Sequence, residues 1–170
     1  MSEYGWYGLF TRLRHEKRMV SLLRERGFES FTPVIRVSRE YSNYRHALIE
    51  VPVFPQYVFV FLDLTDRVAE FRMLDQPGVL GFIKKSGMPM LFSTEQVETL
   101  RLSCEHYTVA PRANLGFGEL ATIIRGPLAG RTGFLSPQLN QETHIIFNID
   151  GTDRAIAVAV DPQDIHRQST

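Results

Sequence analysis

The sequence has little cysteine and lacks the residue patterns from which redox, metal and catalytic sites are built. A single cysteine, Cys104, excludes an intramolecular disulfide and a zinc site with several cysteine ligands, and we expect it to be a small buried hydrophobe. The five histidines show no metal-ligand spacing. Paired carboxylates, an activated nucleophile and a phosphate-binding loop are also missing. We therefore expect no metal, no cofactor and no enzymatic activity.

Long apolar runs are missing as well. No stretch approaches the roughly 18 apolar residues of a membrane span, and the first residues lack the pattern of a secretory leader. We therefore expect a cytoplasmic protein that makes no membrane contact. We also expect a monomer. With 44% hydrophobic residues in a chain of 170, one compact domain or two small ones can bury a core.

The formal net charge of zero hides a gradient along the chain. Residues 1–50 carry nine Lys and Arg against six Asp and Glu, whereas residues 117–170 carry four against six. Nucleic-acid binding is therefore to be sought in the N-terminal third, although a solvated helix face accounts equally well for the arginines between Arg12 and Arg26.

Residues 4–106 predict an α+β layer fold, with an antiparallel or mixed sheet flanked by helices. "WYGLF" predicts a strand, and a 3.6-residue period then predicts an amphipathic helix from His15 to Arg26, capped at Gly27. A second helix is expected from Thr65 or Asp66 to Leu74. Val68, Phe71 and Leu74 or Ala69 would face inward. "VLGFIKK" predicts a strand, and a capping box predicts a third helix from Ser93 to Glu105.

The most apolar run is "VFPQYVFVFLDL", from Val53 to Leu64. We expect it to pair with "FESFTPVIRVSRE" as a hairpin whose long tip, within "YSNYRHALIE", is partly basic. Its alternation places apolar residues on both faces, which predicts a central strand covered by helices. Pro55 breaks the pairing at the strand start, where Phe54 is expected to be presented outward to a partner.

The last third has a different character. Residues 107–117 lack a sustained period and predict a linker. Residues 118–168 contain short β-rich runs separated by turn residues, Asn140 among them, which predicts a small β-barrel. In "GPLAGRTG", Gly130 and Gly133 are expected to supply a positive φ or to allow close backbone approach.

This glycine-containing segment resembles the KOW motif of SH3-like barrels. Together with the Trp6-Tyr7 strand, "VPVFPQYVFV" and "PGVLGFIKK", it makes the whole chain similar to the NusG family of transcription elongation factors. The resemblance implies an N-terminal NGN domain that binds RNA polymerase, suppresses pausing and modulates termination, followed by a KOW barrel.

The resemblance also implies three contact surfaces. The surface for the clamp helices of the largest polymerase subunit comprises Trp6, Tyr7, Phe54, Pro55, Tyr57, Phe82 and Ile83. Contacts with non-template DNA, or with the gate loop of the second subunit, are expected at Arg12, Arg14, Lys17, Arg36, Arg39, Tyr44, Arg45 and His46. The barrel would meet a small-subunit ribosomal protein or Rho through Arg125, Pro127, Leu128 and Arg131.

Two departures from the family pattern favour a specialised, RfaH-like paralogue that antagonises termination on long operons. Gln56 stands where many general factors have glycine, and Leu128 stands where they commonly have phenylalanine. A general factor that couples polymerase to Rho or the ribosome is the first alternative. A KOW-type RNA-binding module is the second, although the acidic balance of the barrel disfavours it.

Overall fold

The computed structural model describes residues 4–42, 44–114, 118–139 and 142–168. The predicted break at Asn140 and residues 115–117 of the predicted linker lie outside these ranges. The chain forms two compact units, Met1–Val97 and Glu98–Thr170. No helix within the described ranges is long and apolar enough to cross a membrane.

The first unit is built on one antiparallel sheet with strand order β2-β5-β1-β6, in which β9 also pairs with β1. The elements of this unit are β1 (Tyr4–Thr11), α1 (Glu16–Glu25), β2 (Glu29–Phe31), β3 (Val34–Tyr41), β4 (Arg45–Pro52), β5 (Tyr57–Asp63), α2 (Arg67–Leu74), β6 (Val79–Phe82), β7 (Lys84–Lys85), β8 (Met88–Pro89), β9 (Leu91–Phe92) and the start of α3 (Thr94–His106). The predicted central strand is confirmed as β5, which pairs with β1 on one side and β2 on the other.

One face of the sheet packs against helices. Alternation along β1 and β5 brings Leu9, Val58 and Val60 together with Met19 and Leu23 of α1 in a continuous buried cluster. Each large apolar side chain buried there is worth about 1.5–3 kcal/mol, so this cluster is a main source of the unit's stability.

The opposite face is aromatic. Trp6 and Phe10 of β1 lie directly across from Phe61 and Tyr57 of β5, and the ring centroids are 5.4 Å apart in the first pair and 5.0 Å in the second. Phe59 stacks on Phe31 and meets Phe92 edge to face. We call Trp6, Phe10, Tyr57, Phe59 and Phe61 the aromatic face.

Local signals set the helix ends close to the predicted positions. After α1 the backbone N–H groups of Gly27 and Phe28 bond back to Arg24 and Leu23, the pattern of a Schellman motif. The Ser93 hydroxyl accepts a hydrogen bond from the Gln96 amide at the start of α3. This bond is one half of the predicted capping box.

The predicted inward face of α2 is wrong. Val68, Phe71 and Leu74 are exposed, Phe71 by 69%, and Met73 is the buried side chain of this helix. The Asp66 carboxylate accepts hydrogen bonds from the amides of Val68 and Ala69 and so fixes where the helix starts. Eight residues make little more than two turns, and at that length packing rather than periodicity decides which side faces the core.

The predicted hairpin is only partly right: its first part, β2, pairs with β5 from Glu29↔Phe61 to Phe31↔Phe59, but β3 does not join this sheet. β3 pairs along its whole length with β4, from Val34↔Pro52 to Tyr41↔Arg45, as a separate two-stranded ribbon. The segment expected to be a polar tip is therefore mostly strand β4. Pro52 and Pro55 flank the break that lets the chain leave this ribbon and enter the main sheet as β5.

The second unit is β-rich, as predicted, and is consistent with a KOW-like domain. Its sheet has the order β10-β14-β13-β12-β11-β15 and every described ladder is antiparallel. The strands are β10 (Val109–Ala113), β11 (Leu120–Ile123), β12 (Thr132–Leu139), β13 (Glu142–Asn148), β14 (Arg154–Val160) and β15 (Ile165–Arg167), with a 3₁₀ turn at Pro162–Asp164. Part of the predicted linker is thus strand β10, which pairs with β14.

Candidate interaction surfaces

The turn from Phe54 to Tyr57 connects the ribbon to β5. Pro55 occupies its second position, Gln56 has a φ of +72°, and the Tyr57 amide donates to the Phe54 carbonyl at 3.2 Å. These are the features of a type II turn, whose third position favours glycine. We call residues 54–57 the FPQY turn. Pro55 is exposed, but Phe54 is only 1% exposed, so the expectation that Phe54 points outward is wrong for this structure.

Three hydrogen bonds hold Gln56 in place. Its backbone N–H donates to Oε1 of Glu16 at 2.7 Å, and its side-chain Nε2 donates to the Thr11 carbonyl at 3.0 Å. Its own carbonyl accepts from the Thr11 amide at 2.9 Å. The turn is therefore tied to the end of β1 and to the first residue of α1.

The seven predicted docking residues do not all lie together. Trp6 and Tyr57 belong to the aromatic face, and the Phe54 ring lies 6.1 Å from that of Tyr57. Ile83 lies on the same side, because a Cβ added to Gly8 would meet its Cδ1 atom. Tyr7 and Phe82 lie in the cluster beneath α1, on the other side of the sheet.

The ribbon divides its charges between two faces. Cross-strand register places Arg39, Tyr41 and Arg45 on one face, since Tyr41 is opposite Arg45 and Arg39 is two residues away. Neither arginine forms an ion pair within the described part of the chain. Tyr44, at the tip, is 89% exposed and has a φ of +56°. These four residues, Arg39, Tyr41, Tyr44 and Arg45, form what we call the basic tip.

The other ribbon face is close to neutral. Arg36 lies opposite Glu50, and His46 lies opposite Glu40. The Glu50 carboxylate accepts a hydrogen bond from Lys17 of α1 at 2.9 Å and lies 3.8 Å from Arg36. The hydrogen bond and charge of Lys17 lower the pKa of Glu50. Lys17 and Arg36 thus form ion pairs with Glu50, whereas Arg12 and Arg14 are exposed.

The predicted barrel contact surface is only partly available. Arg125 and Pro127 are exposed, and Arg125 lies 3.8 Å from the Asp164 carboxylate. Leu128 is fully buried, and its backbone amide donates to the Tyr107 hydroxyl at 3.4 Å. Arg131 is half-buried.

Cys104 is free and partly buried, and burial, followed by the nearby Glu105 charge, raises its pKa to about 12. A thiol with that pKa is a poor nucleophile. Across the described ranges, no group of three or more His, Cys, Asp and Glu is placed to hold a metal ion.

Sequence reasoning missed four residues of these surfaces, namely Thr11, Glu16, Tyr41 and Glu50. Tyr41 and Glu50 follow from the register of β3 and β4, which requires the correct strand pairing. Thr11 and Glu16 lie about 40 residues before Gln56 in the chain, and only folding brings them together.

The described chain thus combines an aromatic-faced sheet, a tethered turn and a basic ribbon with a second, β-rich unit. The family model described as transcription termination factor nusG matches residues 4–101, more than half of the chain. The chain belongs to the NusG family of transcription elongation and termination factors, as its sequence resemblance predicted.

Structural comparison agrees on the fold. The structure described as "Domain interaction in Thermotoga maritima NusG" is 21% identical, with a TM-score of 0.58 and coverage of 98% of both chains. The structure described as "Crystal Structure of MjSpt4:Spt5 complex conformation A" is 16% identical, and the match covers 96% of this chain and 98% of that chain, but its TM-score is only 0.30. No curated protein matches the chain significantly.

Proposed function

We propose that this protein binds RNA polymerase during elongation through the FPQY turn and the adjoining aromatic face, and thereby suppresses pausing. The observation that carries the proposal is the FPQY turn itself. It is a proline-containing aromatic turn, held by the hydrogen bonds that Gln56 donates to β1 and α1, within the part of the chain that the family model covers. The proposed polymerase contact is with the clamp helices of the largest subunit.

Docking through this turn has to uncover aromatic rings that are buried in the free protein. Phe54 and Tyr57 are 1% and 6% exposed, and Pro55 is the exposed member of the turn. A polymerase surface would meet Pro55 first and would contact the two rings only after they are uncovered. Large aromatic side chains that leave water at an interface are typical binding hot spots.

The test replaces Phe54 by leucine, which keeps an apolar side chain in the site. Phe54→Leu should weaken binding to core RNA polymerase by about tenfold or more, because the ring contact is lost. Phe28→Leu is the control, since Phe28 packs against the cluster beneath α1, away from the aromatic face. Binding is measured by biolayer interferometry on proteins shown by thermal melting to be folded.

Equal affinities of Phe54→Leu and the wild type would refute docking through this turn. A wild-type protein that does not bind core polymerase at all would refute the proposed function. A pause assay on purified elongation complexes provides the functional readout, in which the wild type should shorten pauses and Phe54→Leu should not.

Within the family we propose the specialised, RfaH-like role, with antagonism of termination on long operons. Two observations support this choice. Gln56 keeps a positive φ where glycine is unstrained, and its side chain bonds to Thr11. Leu128, at the position that general factors use for Rho or a ribosomal protein, is fully buried. In a Rho-dependent termination assay, the protein should increase read-through.

The two alternatives predict different results in the same assay. A general factor would increase termination by Rho and would bind Rho directly. An RNA-binding module would leave termination unchanged and bind structured RNA with a steep salt dependence.

We further propose that the basic tip contacts the non-template DNA strand or the gate loop of the second subunit. Support comes from the two arginines that form no ion pair in the described chain and from the two tyrosines beside them. Arginine and tyrosine suit single-stranded nucleic acid, because they combine phosphate contact with base stacking.

A further inference from the structure

Two energetically unfavourable features meet at the FPQY turn. Gln56 has a left-handed backbone conformation, which costs a residue with a Cβ atom free energy relative to glycine. Glu16 is a carboxylate that is only 2% exposed, and burial of a carboxylate is costly unless it is well bonded. A shared hydrogen bond joins the two, from the Gln56 backbone N–H to Oε1 of Glu16 at 2.7 Å.

The position of Glu16 makes it a strong acceptor for this bond. It is the first residue of α1, where the helix N-terminus favours a negative charge. No lysine, arginine or histidine forms an ion pair with it within the described chain. Charge-assisted hydrogen bonds are stronger than neutral ones, so the Gln56 amide receives a strong restraint.

Favourable interaction with the helix terminus alone does not account for this arrangement. A glutamate in the first turn of a helix benefits from the terminus when it is solvent-exposed, and burial is not needed. Here the carboxylate is buried and reaches out of its helix to the third residue of the turn. Its geometry restrains residue 56 rather than the helix.

We propose that Glu16 is a positioning residue for polymerase docking, which holds the FPQY turn in its bent form so that the exposed Pro55 is preorganised for the first contact. This inference rests on the proposed function, because it assigns a role within the same docking site. A turn that is already ordered loses less conformational entropy on binding, and its affinity is correspondingly higher.

The test uses the full chain and three variants. Glu16→Ala removes the acceptor, Glu16→Gln keeps a carbonyl oxygen in its place, and Glu25→Ala changes an exposed glutamate of the same helix as the control. The first readout is amide hydrogen exchange at Gln56 by NMR. The second is the dissociation constant for core RNA polymerase.

Glu16→Ala should speed exchange of the Gln56 amide by at least tenfold and weaken polymerase binding by about tenfold. Glu16→Gln, which keeps an acceptor but not its charge, should give smaller changes in both than Glu16→Ala does, and Glu25→Ala should change neither. Adding Gln56→Gly to Glu16→Ala should restore most of the affinity, because glycine adopts a positive φ without strain. A merely structural loss would not be rescued in this way.

The outcomes separate the two proposals. If the wild type fails to bind polymerase, the proposed function falls, and the exchange rate still shows whether Glu16 restrains the turn. If Glu16→Ala leaves the Gln56 exchange rate unchanged, the positioning role is overturned. Faster exchange with unchanged affinity, in a protein that binds polymerase, overturns it equally.

Discussion

At the scale of single residues, the clearest agreement between sequence and structure concerns two glycines of the second unit. The sequence predicts a positive φ or close backbone approach at Gly130 and Gly133, and each residue shows one of these. Gly130 has a φ of +88° with open space where a Cβ would lie. At Gly133 an added Cβ would lie 2.6 Å from the carbonyl oxygen of Ile146 on the neighbouring strand.

The positive φ of Gly130 and the close approach at Gly133 predict different losses of stability when each glycine is replaced by alanine. Gly133→Ala should lower the free energy of unfolding by about 2 kcal/mol or more, since backbone of β13 would have to shift. Gly130→Ala should lower it by about 1–2 kcal/mol through backbone strain alone. Urea unfolding followed by circular dichroism measures both. An equal or larger loss for Gly130→Ala would contradict the close-approach assignment.

At the scale of elements, the ribbon was the main departure from sequence expectation. β4 begins with Arg45 and His46, and its apolar alternation at Ala47, Ile49 and Val51 is short, so the polar start concealed a strand. The observed register divides the predicted basic residues into two groups. Lys17 and Arg36 lie beside the Glu50 carboxylate, whereas the arginines of the basic tip form no ion pair in the described chain.

This division predicts which arginines bind nucleic acid. The double variant Arg39→Ala/Arg45→Ala should weaken binding to a single-stranded DNA oligonucleotide and reduce the slope of log affinity against log salt by about 1.4, as expected for two lost phosphate contacts. Arg36→Ala should leave the slope nearly unchanged, because Arg36 lies beside Glu50. Fluorescence anisotropy at several salt concentrations measures the slope. A larger effect of Arg36→Ala would contradict the assignment.

At the scale of the whole molecule, the strands of the second unit differ in how far local sequence specifies them. The β-branched runs "THIIFNI" and "AIAVAV" predicted strands, and they form the adjacent central strands β13 and β14. Strand β10 escaped prediction because Pro111 and Arg112 interrupt its apolar character and its pairing partner is more than 40 residues away.

A constitutive β-fold of the second unit is the corresponding prediction. NMR secondary chemical shifts of the full chain should be strand-like at 109–113, 142–148 and 154–160, because these segments form adjacent ladders in one sheet. Helical shifts in those segments, in the free protein, would show an alternative state and contradict this expectation.

The sequence by itself determined the family, through the resemblance of its motifs. It also determined the α+β-then-β order and the helix ends, because capping, periodicity and turn chemistry act between residues close in the chain. Only the tertiary structure decided which face of α2 is buried, that Phe54 is covered, and that Glu16 and Thr11 restrain Gln56. These facts depend on contacts between distant segments, and local sequence does not encode which partner a strand or side chain meets.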